Sequence, residues 1–155
     1  MYIVSRCLLG YNCKYNGGNN RNEDVIEFCR FHEYMTVCPE SAGGLTAPRA
    51  PAEHKIVGGE VKVIDKNGRD LTKQFTEGAE ISYNEIKDAV KNGTQIEGAI
   101  LKANSPSCGY GKIYDGNFTG TLVKGNGLFA DRIEQDGIRI VNEKNLKKIW
   151  RDIYD

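Results

Sequence analysis

Net charge is what this chain most lacks: across 155 residues, 21 Lys and Arg offset 21 Asp and Glu. Without an overall positive field there is no general attraction for DNA or for an anionic membrane surface. Long apolar runs are missing too, and no stretch approaches the ~20 residues that a membrane helix needs. The apolar start is interrupted by Arg6 and is too short for a signal peptide, so the chain reads as cytoplasmic. Histidine is scarce, and the two present, His32 and His54, form no ligand pattern for an imidazole-bound metal. Against these shortages stand five cysteines and 18 glycines, with only four prolines. An odd cysteine count in a chain of this character argues against a disulfide framework and for metal or thiol chemistry. The length suits one domain, 1–155, large enough to bury a core without staples.

Apolar periodicity alternates between strand and helix. Short β-rich runs read as strands at 2–5, 34–37, 61–64, 98–103 and 138–141, and helical stripes at 22–32, 70–92, 127–135 and 143–154. In the longest stripe Leu71, Phe75, Ala79, Ile86 and Val90 share one face, and Asn92-Gly93 supplies a stop signal. In the last, Leu146, Ile149, Trp150 and Ile153 face inward. Asp115-Gly116, between 112–114 and 118–123, suits the positive φ angles of a two-residue hairpin turn. Residues 39–59, with three prolines and two Gly-Gly pairs, read as an irregular stretch, and structureless segments of that length are usually functional. The expected fold is α/β: a single three-layer domain with a mostly parallel sheet and a small β-hairpin insertion.

Three cysteines occupy the same kind of place, after an expected strand: Cys7 after 2–5, Cys38 after 34–37, and Cys108 in the loop after 98–103. In open α/β sheets, ligands bind outside the carboxyl ends of the strands, where neighbouring loops converge. The three lie tens of positions apart, so they form no local Cys-x-x-Cys pair of a zinc ribbon or ferredoxin run. A shared site has to be assembled by the fold. Cys29 lies on the apolar stripe of the first helix with Val25 and Ile26 and reads as core. Cys13 sits in a loop rich in glycine and asparagine, either as a nearby thiol or as a chance occupant, and its surroundings argue against a ligand role.

The segments CLLGYNCKYNGGNN, VCPESAGGLTAPRAPAE and LKANSPSCGYGKIYDGNFTG, in this order, resemble a bacterial family whose characterised members are thiouracil desulfidases. The resemblance covers nearly the whole chain. Its signatures are Cys-Leu-Leu-Gly near the N-terminus, Cys-Pro-Glu followed by Gly-Gly-Leu and Pro-Arg, and Ser-Pro-Ser-Cys-Gly with a later Tyr-Asp-Gly. One departure is visible. Where the family commonly has Arg-Tyr-Asp-Gly, this chain has Lys14-Tyr15-Asn16-Gly17, exchanging a planar guanidinium for an ammonium and removing a carboxylate.

The resemblance implies a 4Fe–4S cluster held by Cys7, Cys38 and Cys108. Three thiolates on four irons leave one iron open, a thiophilic Lewis acid that suits a thiocarbonyl sulfur. The implied reaction converts C=S to C=O on a small thiolated pyrimidine such as 4-thiouracil and releases sulfide. Glu40, two residues beyond Cys38, is the implied general acid/base if a dry site raises its pKa; otherwise it caps the Cys-Pro turn. The resemblance also makes a serine of Ser105-Pro106-Ser107 catalytic, with Ser105 ranked ahead of Ser107. Lys14, Tyr15, Arg49 and Lys102 are candidate substrate contacts, and Tyr11, Tyr110 and Tyr114 join Tyr15 as candidate stacking surfaces. From the residues alone a second reading stays open: a non-catalytic module whose thiolates hold zinc, or an Fe–S sensor without turnover. A redox pair of Cys7 and Cys13 lacks the Cys-x-x-Cys spacing.

Overall fold

Burial on both faces is what a short, continuous apolar strand requires, and all four residues of Tyr2–Ser5 achieve it. The computed structural model describes residues 1–148 and Arg151. In chain order its elements are β1 (Tyr2–Ser5), α1 (Glu23–Phe31), β2 (Tyr34–Val37), α2 (Pro39–Ala42), β3 (Ala52–Val57), β4 (Glu60–Asp65), α3 (Thr72–Lys91), β5 (Gly98–Ile100), β6 (Lys112–Tyr114), β7 (Leu122–Lys124), α4 (Leu128–Glu134) and β8 (Ile140–Val141). A 3-10 turn at Arg6–Leu9 follows β1 directly.

The central sheet is parallel, in the order β2-β1-β5-β8. Side chains alternate across it. Ile3, Val37, Ala99 and Leu101 pack with Ala79, Tyr83 and Ile86 of α3 and Phe129, Ala130 and Ile133 of α4 on one face. Tyr2, Val4 and Ile100 pack with Val25 and Phe28 of α1 and with Leu146 on the other. This is the expected three-layer α/β arrangement. From β1 the chain proceeds to β2 on one side and later returns to β5 on the other, so the order reverses beside β1. Such a reversal opens a crevice at the carboxyl ends of the strands. No helix among the described residues is long and apolar enough to cross a membrane.

Three local expectations need correction. Residues 39–59 are not irregular throughout: they form α2 and then β3, which pairs with β4 in an antiparallel hairpin from Ala52↔Asp65 to Val57↔Glu60. The turn is Gly58-Gly59, with φ of 60° and 82°, the left-handed pair that a two-residue hairpin demands. The run at 61–64 is therefore half of a hairpin outside the central sheet. In the second hairpin Tyr114 pairs with Leu122, so residues 115–121 make a seven-residue loop instead of a two-residue turn at Asp115-Gly116. Val90, placed on the buried stripe of α3, is 47% exposed in the last turn of the helix, where burial ends at Ile86. For the closing helix, Leu146 is buried as expected, while Ile149, Trp150 and Ile153 lie outside the described residues.

The short α2 is held against α3 by backbone contact. A Cβ added at Gly78 would stand 1.9 Å from Pro39 O, and one at Gly43 would stand 2.1 Å from Gln74 O. Neither obstacle is a side chain that could rotate away. Gly78→Ala therefore loses ~3 kcal/mol to overpacking and regains only ~1 kcal/mol in helix propensity. A thermal melt of the variant is expected to fall by ~4–8 °C, and an unchanged melting temperature refutes the close contact. Because α2 follows Cys38 directly, the same substitution displaces the site.

Candidate active site

Loops at the carboxyl ends of β1, β2 and β5 enclose a cavity of about 460 Å³. Cys7, Cys38 and Cys108 all line it, with Cys13, Glu40, Lys102 and Ser105. Its volume is that of a small-molecule site.

Cys7 lies in the 3-10 turn after β1, where its carbonyl accepts from the N–H groups of Gly10 at 3.2 Å and Asn20 at 3.0 Å. Asn20 also donates Nδ2–H to Cys7 Sγ at 3.4 Å. Burial raises the Cys7 thiol pKa above its ordinary value, against the lowering by Asn20. Cys38 opens α2, its carbonyl accepting from Ala42 N at 2.9 Å, and its Sγ is hydrogen-bonded to Ser41 Oγ at 3.2 Å. The Cys13 thiol hydrogen-bonds to Cys38 and holds it down to about 5, while Cys13 itself is pushed up by the same bond. The bond thus favours thiolate character at Cys38 over Cys13. Cys108 is buried, and burial pushes its thiol up. The Ser5 hydrogen bond opposes the rise, and the charges of Cys7, Glu40 and Cys38 add to it.

The loop that carries Cys108 is shaped by its serines. Ser105 Oγ accepts the N–H groups of Ser107 at 3.1 Å and Cys108 at 3.0 Å, which leaves its O–H proton available for the cavity. Ser107 does not line the cavity. Its hydroxyl is sealed in the core without a partner among the described residues. His54 of β3 ties the loop to the first hairpin, its Nε2 standing 2.8 Å from Pro106 O. Burial lowers the His54 pKa, so the ring is neutral and donates its one N–H to that carbonyl.

Glu40 points its Oε1 to Arg49 Nη2 at 3.2 Å. Burial raises the Glu40 pKa above the usual carboxylate range and the Arg49 guanidinium opposes the rise. Arg49, expected at the substrate, does not line the cavity. It also donates to Thr46 O at 2.9 Å and Cys13 O at 3.2 Å, so its planar fork joins the Cys13 loop to the Glu40 loop. Lys14 and Tyr15 line the cavity, with the Lys14 ammonium 5.7 Å from the Tyr15 ring centre. Lys102 lines it too, but its ammonium is engaged by Glu143 Oε2 at 3.2 Å and Ala103 O at 2.8 Å. Of the expected stacking tyrosines, Tyr15 and Tyr114 reach the walls while Tyr11 and Tyr110 do not.

Sequence reasoning missed three contributors. Asn20 touches Cys7 across a loop. Glu53 and Phe118 line the cavity, and the strand bearing Glu53 falls within 39–59, expected to be irregular. Two alternating runs around Gly58-Gly59 are the signal that finds it.

An open parallel α/β sheet with a cavity at its carboxyl edge, walled by four thiols and two carboxyls, defines a small-molecule enzyme. The particular family follows from comparison: the model of the 2-thiouracil desulfurase family matches residues 2–145, and the chain belongs to that family and is an enzyme of the desulfurase class. It is 36% identical to the uncharacterized protein YbbK of Bacillus subtilis (strain 168), over 96% of this chain and 99% of that protein. Among solved structures it resembles the [4Fe-4S]-dependent thiouracil desulfidase TudS, with a TM-score of 0.80 and 34% identity over 99% of this chain and 97% of TudS.

Proposed function

We propose that this chain is an iron–sulfur-dependent desulfidase acting on a small thiolated pyrimidine, with Cys7, Cys38 and Cys108 as the protein ligands of a 4Fe–4S cluster. The observation that carries this reading is the meeting of three cysteines, far apart in sequence, on the wall of one cavity beside the half-buried carboxyl of Glu40. The donor set fits the group. Thiolates are the ligands that such clusters take, and Cys7 already accepts an N–H bond of the kind that tunes cluster sulfurs. Zinc fits less well, because a tetrahedral ion gathers its thiolates around one point. Among the described residues no three His, Cys, Asp or Glu stand together in that way.

When bound by three thiolates, the cluster supplies one iron without a protein ligand, a soft Lewis acid for the thiocarbonyl sulfur. The chain's own residues do the rest. Glu40 exchanges a proton with the departing sulfur or the incoming water, a role that the rise of its pKa on burial favours. Arg49 keeps that carboxyl aimed and its loop closed on the Cys13 loop. Ser105, whose oxygen is already taken by two N–H donors, directs its O–H toward the substrate. Lys14 and Tyr15 contact the pyrimidine from the cavity wall, and Lys102, whose ammonium Glu143 holds in place, favours thiolate charge at Cys7. The balance is C=S plus water giving C=O plus hydrogen sulfide, with no change of oxidation state.

Anaerobic purification and reconstitution test the reading. A brown protein with about four irons and four sulfides per chain is expected, and sulfide release should match uracil formed from thiouracil. One zinc per chain with no iron, or iron without turnover of any thiopyrimidine, overturns it.

A further inference from the structure

Glu53 is a carboxylate that none of this chemistry uses. It sits on β3, is only 9% exposed, and lines the cavity with Tyr114 and Phe118. One of its oxygens is spent on structure: Oε1 accepts the N–H groups of Gly116 at 3.0 Å and Phe118 at 3.2 Å, pinning the 115–121 loop onto the first hairpin. The loop is pressed close there, since a Cβ at Gly116 would stand 2.5 Å from His54 O. The other oxygen, Oε2, has no partner among the described residues. Nor is it sealed in the core, because the sealed side-chain oxygens without partners among those residues belong to Gln74 and Ser107.

We propose that Glu53 is the specificity group of the site, its Oε2 accepting a ring N–H of the heterocycle. An ionised carboxylate is an acceptor only, so it welcomes an N–H edge and repels a bare ring nitrogen with its lone pair. In a thiouracil the nitrogen next to the thiocarbonyl carries such a hydrogen, and the desulfurated product keeps it. The substrate class is therefore a thiolactam with a free N–H, and N-alkylated or fully aromatic thiopyrimidines are excluded. A bond to a charged acceptor in a cavity gives strong discrimination, because its loss leaves a buried charge unmatched. The two N–H groups already on Oε1 fix the carboxylate before the ligand arrives, which spares the ordering cost on binding. This rests on the desulfidase reading and sharpens it to one ring edge.

Glu53→Gln separates recognition from scaffolding. The glutamine keeps an oxygen for Gly116 and Phe118 but turns an N–H donor toward the ring. Uracil binding measured by calorimetry, and KM for 2-thiouracil, are expected to weaken by about ten- to a hundred-fold, with kcat, iron content and melting temperature nearly kept. Wild-type protein should lose a similar factor with 2-thiouracil methylated at the ring nitrogens, and the variant should lose nothing more on that ligand, because both changes remove one bond. Equal KM values for variant and wild type, or additive losses, overturn the role of Glu53 while leaving the desulfidase reading intact. Wild-type protein that neither binds uracil nor releases sulfide from any thiopyrimidine overturns both.

Discussion

Cys108→Ala, like Cys7→Ala and Cys38→Ala, is expected to abolish cluster absorbance and sulfide release together, with turnover falling to the uncatalysed background. Each thiolate comes from a different strand end, and the one further sulfur on the cavity wall, Cys13, is already engaged with Cys38. The other cysteines provide the contrast. Cys29 is half-buried against the α1 side of the core and touches none of the cavity, so Cys29→Ala should cost ~1 kcal/mol of stability and no iron. Cys13→Ser should retain the cluster absorbance, since the hydrogen bond it gives Cys38 can pass to a hydroxyl. Iron and sulfide counts across these five variants, each prepared anaerobically, sort ligands from neighbours. Any of the first three that keeps full iron content removes that residue from the ligand set.

Glu40→Gln is expected to lower kcat by 10²- to 10⁴-fold, the usual span of a general acid/base, with KM and iron content close to wild type. The amide keeps the shape and can still accept from Arg49, whose guanidinium retains Thr46 O and Cys13 O, so the loops stay joined. What is lost is the exchangeable proton. Steady-state kinetics with an iron assay read this split directly. A kcat within threefold of wild type shows that Glu40 only caps its turn. Ser105→Ala is less clean as a probe, because it also strips an acceptor from the N–H groups of Ser107 and Cys108 and so loosens the very loop that bears a thiolate.

Much of the sheet was legible in the chain because parallel strands buried on both faces are apolar throughout: Tyr2–Ser5 and Gly98–Ile100 are unambiguous runs. The cysteines after those runs were legible for the same reason, since the position of a loop follows from the end of its strand. The first hairpin escaped because Pro48 and Pro51 and two glycine pairs look alike whether they punctuate a loop or flank a strand. Arg49 reads as a substrate contact in the sequence because its partners are out of view: Glu40 lies nine positions away and Cys13 thirty-six. Between Ser105 and Ser107 the sequence offers only a ranking with Ser105 first, and the path of the backbone turns that one into the cavity and the other into the core.

By itself the sequence determined the composition of the site and its place in the fold: a neutral chain, three strand-end cysteines and an acidic residue just beyond one of them. These are consequences of local order along the chain, where residue type and periodicity carry the information. Only the tertiary structure decided which side chains face the cavity and which are spent on holding it, since Arg49 on Glu40, Cys13 on Cys38 and Glu53 on the 115–121 loop are contacts between distant segments. Such contacts depend on the angle at which packed layers meet, and α2 meets α3 at two glycines whose close approach no local pattern reveals.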